Sequence, residues 1–320
     1  MPLWKLILSY DGTPFHGWQV QPSLPTVQGT LAGALFHITG EAVLPQGSGR
    51  TDAGVHALAQ VASVELHTPI PPANLYRALN DYLPPSIRVL SAQLAPPHFH
   101  ARHSARRKSY EYRIFTSTHY PTQATDTITP PASQNLTPAS GTSTQASRYP
   151  NPAPDASTQA RHYQTPAASS ITPALCSPML APWVWDIRRP LDFEALQQAS
   201  RHILGTHDFT SFAAADPDLT TRSSSLTAPS DKATDVPQHA TNIRTVDESL
   251  WTRQENLLTY RIAGSGFLHH MVRNLVGTFV QCALGRIPPN SIPNILKAQD
   301  RSAAGPTAPA RGLFLIRVEY

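Results

Sequence analysis

Gly49-Arg50-Thr51-Asp52-Ala53-Gly54-Val55-His56-Ala57-Leu58-Ala59-Gln60-Val61 is the stretch on which the reading of this chain turns. With Gly47 upstream, three glycines flank one carboxylate and one arginine. Glycine tolerates positive φ and lets a second backbone or a ligand come close. An aspartate on such a loop can be presented to a cleft. Arg50, two residues away, can hold a phosphate or pair with Asp52. By itself the stretch also reads as a plain Asp-Gly turn closed by an ion pair.

Working outward, Leu3 to Tyr10 is strand-like and ends at the turn Asp11-Gly12. Val27, Leu31, Ala34, Leu35 and Ile38 fall at helical spacing, with Gly40 placed to end that helix. Val61 to Leu66 reads as a short strand, Ala73 to Tyr82 as a helix stopped by Pro84-Pro85, and Ile87 to Leu94 as a strand. Tyr110 to Phe115 opens a second unit. After it, Leu191 to Leu204 reads as an amphipathic helix, and Thr241 to Trp251 and Leu257 to Ala263 as paired strands. Phe267 to Leu284 reads as a long helix whose Leu268, Val272, Leu275, Val276, Phe279 and Ala283 share one face at 100° per residue. Ile292 to Ala298 is a short helix. Leu313 to Tyr320 is a last strand, with Leu313, Leu315, Arg317 and Glu319 facing apart from Phe314, Ile316 and Val318. This mixture predicts an α+β protein with helices on one face of antiparallel sheets.

Two stretches break the pattern. Residues 121–178 hold ten prolines and four charged residues (Asp126, Arg148, Asp155, Arg161). Residues 214–240 are of similar character. Such composition buries too little apolar surface to offset its ordering entropy, and both read as disordered insertions, at about 116–181 and 214–240.

Composition sets the outer bounds. The 320 residues are 40% hydrophobic and 14% charged, with a formal charge of +4 and a pI near 9.2. That balance permits a polyanionic partner without demanding one. Cys176 and Cys282 are the only cysteines, which excludes a disulfide framework and a zinc-cysteine cluster and suits a reducing cytoplasm. The N-terminal apolar run is too short for a signal segment, and no stretch approaches a membrane span, so a soluble protein is expected.

Basic and aromatic residues gather in one place. Arg102, Arg106, Arg107 and Lys108 lie beside Tyr110 and Tyr112, a combination suited to phosphate contact and base stacking. The bland alternative is a linker with solvated charges. His269-His270, and His98, His100 and His103, invite a metal reading. Neighbouring histidines on a helix point in different directions, and no cysteine or carboxylate has ligand spacing, so no metal is expected.

The glycine-flanked stretch resembles the signature of the tRNA pseudouridine synthase A family. Further segments are similar to that family in the same order: Tyr10-Asp11-Gly12-Thr13-Pro14-Phe15-His16-Gly17-Trp18-Gln19, Thr26-Val27-Gln28-Gly29-Thr30-Leu31, Phe99-His100-Ala101-Arg102 and Lys108-Ser109-Tyr110-Glu111-Tyr112. In the C-terminal part come His207-Asp208-Phe209-Thr210-Ser211-Phe212, Gly266-Phe267-Leu268-His269-His270-Met271-Val272-Arg273-Asn274 and Ala310-Arg311-Gly312-Leu313-Phe314-Leu315. The resemblance covers the chain apart from the two insertions, which family members lack. It varies slightly at Leu58-Ala59.

The resemblance implies two ferredoxin- or RRM-like subdomains, 1–103 and 104–320, whose sheets join into a central sheet with helices on one face and a cleft between the halves. It implies an isomerase, a homodimer with tRNA spanning both subunits, and conversion of uridine to pseudouridine in the anticodon stem-loop, at tRNA positions 38–40. Asp52 matches the family's nucleophile, attacking C1′ of the ribose or C6 of the base. A carboxylate is a competent covalent nucleophile. The same base rejoins the sugar, so no water and no cofactor are needed. Arg50 matches the arginine that fills the space of the flipped base or contacts the RNA backbone. Tyr110 matches a tyrosine that stacks on uracil or takes the C5 proton. Arg273 matches a basic residue that can pair with Asp52 and keep it ionised. Substrate binding falls to Tyr110, Arg102, Arg106, Arg107, Lys108, His56 and His269. Two rival readings are an RNA-binding module without chemistry, which has no need of Asp52, and a nucleoside hydrolase, which needs a second acid to activate water.

Overall fold

The computed structural model describes residues 2–117, 174–214 and 242–320. The expectations for the two low-complexity insertions fall, apart from their edges, outside these residues. The described strands form one large, mostly antiparallel sheet, and five α-helices pack with it. The fold is therefore mixed α+β. Among the described residues no helix is long and apolar enough to cross a membrane.

The strands are β1 (Leu3–Tyr10), β2 (Gln46–Gly47), β3 (His56–Glu65), β4 (Ile87–Leu94), β5 (Arg107–Thr116), β6 (Trp185–Ile187), β7 (Gly205–Asp208), β8 (Ile243–Gln254), β9 (Leu257–Gly264) and β10 (Leu313–Glu319). Their order is β4-β1-β3-β10-β5-β9-β8-β7, with β2 on β3 and β6 on β5. The helices are α1 (Val27–Thr39), α2 (Pro72–Tyr82), α3 (Phe193–Arg201), α4 (Met271–Ala283) and α5 (Ile292–Ala298).

Local chemistry explains most boundaries. β1 alternates in burial, with Trp4, Leu6, Leu8 and Tyr10 turned to the core, as a strand with one covered face must. Thr26 caps α1 by accepting the Gly29 N–H, and Gly40 ends it in the left-handed region at φ 74°. Asp192 caps α3 through the Ala195 N–H at 3.1 Å. Leu191 stands before that cap, so the helix is shorter than the expected 191–204.

Three elements differ from expectation for reasons of tertiary structure. β3 begins at His56 rather than Val61, because its first residues pair with distant strands: Ala57 with Tyr10 of β1, and His56 and Ala57 with Phe314 and Leu315 of β10. This parallel β3–β10 pairing joins the β1 side of the sheet to the β5 side. In β10 the expected alternation gives way to three successive buried residues, Leu313, Phe314 and Leu315, since the strand lies mid-sheet with both faces covered. α4 begins at Met271, not Phe267. His270 sits in the left-handed region at φ 59°, which stops the helix from running back to the two apolar residues that continue its periodicity.

α4 is pressed against the segment that precedes β10. A Cβ on Gly277 would stand 1.7 Å from the Pro306 carbonyl oxygen, whereas one on Gly33 of α1 meets nothing within 4 Å. Gly277→Ala should therefore cost about 2 kcal/mol or more by forcing the two segments apart. Gly33→Ala should gain up to about 1 kcal/mol from helix propensity. Thermal melting of both variants checks this, and equal melting temperatures would contradict it.

Candidate active site

Asp52 lies on the loop 48–55 that links β2 to β3. Gln60, fully buried on β3, ties the base of that loop. Its Oε1 accepts from the Ser48 hydroxyl at 2.6 Å and the Val61 N–H at 3.1 Å. Its Nε2 donates to the Gly49 carbonyl at 2.9 Å and to the Tyr10 hydroxyl at 3.5 Å. Tyr10 in turn bonds the Thr51 hydroxyl at 2.9 Å. The segment after β1 braces the other side: Trp18 N–H donates to the Thr51 carbonyl at 3.0 Å and Gly54 N–H to the Phe15 carbonyl at 3.2 Å. Gly17, at φ 90°, permits that approach, since a Cβ there would come within 2.6 Å of the Thr51 oxygen. The loop is thus a fixed mount rather than a solvated turn.

The Asp52 carboxylate, 20% exposed, meets three groups from the start of α4. Arg273 Nη1 donates to Oδ2 at 2.8 Å. His270 Nε2 lies 3.2 Å from Oδ2 and His269 Nε2 3.5 Å from Oδ1. Arg273 is itself gripped by Ala308: its Nε donates to the Ala308 carbonyl at 2.8 Å, and the Ala308 N–H donates to the Arg273 carbonyl at 3.0 Å. The histidines precede the helix and converge, with ring centroids 3.9 Å apart, which corrects the expectation that they diverge. His270 as a partner of Asp52 went unread in the sequence. The left-handed backbone of His270, at φ 59°, places 267–270 off the helix, and helical periodicity does not reveal it.

A cavity opens over the carboxylate. It is lined by Arg50, Arg102, Lys108, Tyr110 and Phe267 together with Asp52 and the α4 groups. Tyr110 is buried on β5, edge-on to Phe267 with centroids 5.1 Å apart. Burial first, then nearby Tyr10 and Asp52, push its phenol well above the usual range, so it is a neutral wall and hydrogen-bond donor. Lys108 Nζ donates to the Ser48 carbonyl at 2.6 Å. Burial, then Arg102 and Arg244, bring its ammonium down to about 8. Burial likewise lowers His270, against the pull of Asp52.

Three residues expected at the substrate are not among those lining the cavity. Arg107 is engaged by Asp247 at 2.7 Å, Glu248 at 3.1 Å and Glu319 at 3.2 Å. Arg106 is exposed before β5, its N–H donating to the Glu319 carbonyl at 2.8 Å. His56 is buried, receives the Gly12 N–H on Nδ1 at 3.1 Å and stacks on Phe314 at 4.7 Å. Desolvation lowers its pKa, with Asp11 opposing.

Asp52, His269 and His270 bring three potential ligand atoms within 4.8 Å of one another. The Arg273 guanidinium already occupies Oδ2, and its fixed charge opposes any cation there. The arrangement suits a carboxylate paired and aimed, in a basic cavity.

Comparison with known proteins agrees with this geometry. Residues 6–104 and 199–320 match the family described as tRNA pseudouridine synthase. A protein of Solibacter usitatus named tRNA pseudouridine synthase A is 37% identical over 317 residues, covering 99% of this chain and 98% of its own. Proteins of that name from Moorella thermoacetica (36%, with 100% of both chains) and Acetivibrio thermocellus (34%, with 99% and 98%) are similarly alike. The matched family stretches hold Asp52 and Arg273; Tyr110 lies between them, within the span the relatives cover.

Lys108 carries a testable pH signature. In the folded protein it is charged below about pH 8, whereas in the unfolded chain it keeps its proton to about pH 10.4. Between those values the unfolded state binds more protons, so stability rises with pH. The melting temperature of wild type relative to Lys108→Met should therefore climb from pH 7.5 to pH 10, and a flat difference would contradict the burial of a charged amine here.

Proposed function

The chain belongs to the tRNA pseudouridine synthase A family, and on that premise we propose that it isomerises uridine to pseudouridine in the anticodon stem-loop of tRNA, with Asp52 as the nucleophile. One observation carries the reading: a carboxylate fixed at 2.8 Å by Arg273 in a cavity whose wall is Tyr110. The target base turns out of its stack to enter. Asp52 attacks C1′ of the ribose or C6 of the base, the N1–C1′ bond breaks, the base turns, and C5 bonds to C1′. Tyr110 offers its ring face to the uracil. Arg50 and Arg102 are exposed where they line the cavity, and Lys108 lines it from a partly buried position; all three suit phosphate oxygens.

Two features favour this over its rivals. Asp52 is the one acid among the described residues lining the cavity. A hydrolase lacks its second carboxylate there, whereas an isomerase, which returns the same base to the same sugar, has no use for one. A binding module has no reason to hold a carboxylate at the floor of a basic cavity that receives a polyanion. We further read the chain as two ferredoxin- or RRM-like halves, with Asp52 from the first and Tyr110 and Arg273 from the second, and as a homodimer on which the tRNA spans both subunits. Leu90 and Leu94, 51% and 60% exposed on the edge strand β4, offer surface for a second copy to cover.

Unmodified tRNA incubated with the purified protein and mapped for pseudouridine by mass spectrometry tests this. The expected product carries pseudouridine in the anticodon stem-loop. Modification confined to another arm, or none, would contradict the proposal.

A further inference from the structure

The isomerisation just proposed, on which this inference rests, moves one proton. When C5 of the uracil has bonded to C1′, C5 still carries its hydrogen and the ring holds a C6=N1 double bond. The product needs that hydrogen gone from C5 and one placed on N1. The C5–H pair becomes the C5=C6 bond, the C6=N1 pair forms the N1–H bond, and the group that takes the proton returns it. No further reactant enters. A single side chain that accepts the C5 proton and returns it at N1 completes this transfer without a second reactant.

We propose that His269 is that proton carrier. The other polar groups around the cavity are poorly suited. Arg50, Arg102 and Arg273 stay charged and cannot accept. Tyr110 is a buried phenol that already bears its proton. Asp52 would forfeit its 2.8 Å pairing with Arg273 on accepting one. Lys108, brought down only to about 8, still carries its proton at neutral pH and donates to the Ser48 carbonyl. His270 is turned to Oδ2, the oxygen that Arg273 also holds. His269 faces the other oxygen, with Nε2 3.5 Å from Oδ1, on the wall of the cavity that receives the base. Oδ1 is the oxygen left for attack, so the reacting sugar and base come to it and to His269 together. The His269 backbone is anchored for this by the Ala214 N–H, which donates to its carbonyl at 3.0 Å. An imidazole that accepts on one occasion and donates on the next is the usual carrier for such a transfer.

The test uses single-turnover kinetics on an anticodon stem-loop RNA carrying either ordinary or C5-deuterated uridine. His269→Gln keeps a polar side chain and removes the basicity. It should bind the RNA and melt as wild type does, lose roughly 100-fold or more in rate, and be slowed further by deuterium at C5. A residue that merely orients Asp52 would slow glycosidic cleavage, a step that C5 deuteration leaves alone. A wild-type rate in His269→Gln, or a slow rate without an isotope effect, overturns the proposal. So does an isotope effect that appears in His270→Gln or Lys108→Met and not in His269→Gln. Wild-type protein that makes no pseudouridine overturns the functional reading beneath it, which separates the two failures.

Discussion

The contact between Asp52 and Arg273, 221 residues apart in sequence, is the constraint around which the site is arranged. Each partner is fixed by its own scaffold before they meet. Gln60 and Tyr10 hold the loop from beneath, and Trp18 and Phe15 brace it from the side. Ala308 grips Arg273 through its carbonyl, which accepts the guanidinium Nε, and its N–H, which donates to the Arg273 carbonyl, and Gly277 lets the Pro306 segment lie directly on α4. A partly buried ion pair of this kind adds little net stability, because desolvation offsets much of the attraction. Its value is in geometry: it fixes which carboxylate oxygen is spent and which is left.

That division organises the rest of the cavity. Oδ2 takes the guanidinium and His270, while Oδ1 looks toward His269. Tyr110, neutral because it is buried, supplies a flat wall without competing for the carboxylate. The basic residues lining the cavity suit a polyanion, and Asp52, the one acid among the described residues lining it, lies among their charge. In the proposed function, binding and chemistry would draw on this one arrangement of a single carboxylate among basic groups.

Much of this was legible in the sequence where the governing contacts are local. α1 follows from the spacing of Val27 to Ile38 and from Gly40 at its end. α5 and β4 fall where periodicity places them. What escaped depended on residues far away. The first five residues of β3 are strand because β1 and β10 pair with them. Phe267 and Leu268 continue the apolar face of α4 but are taken by the cavity instead. Arg107 reads as one more phosphate ligand until β8 brings Asp247 and Glu248 to it. His269 and His270 converge only because one backbone torsion places them off the helix, and periodicity carries no trace of that.

The central claim is that Asp52 performs the chemistry and that the surrounding basic residues bind the RNA. Replacing Asp52 with asparagine keeps the size and removes the charge. Affinity for an anticodon stem-loop RNA and pseudouridine yield, measured side by side on Asp52→Asn and wild type, separate the two functions. The account predicts near-wild-type binding and no pseudouridine from the variant. A variant that binds and still converts uridine would contradict it.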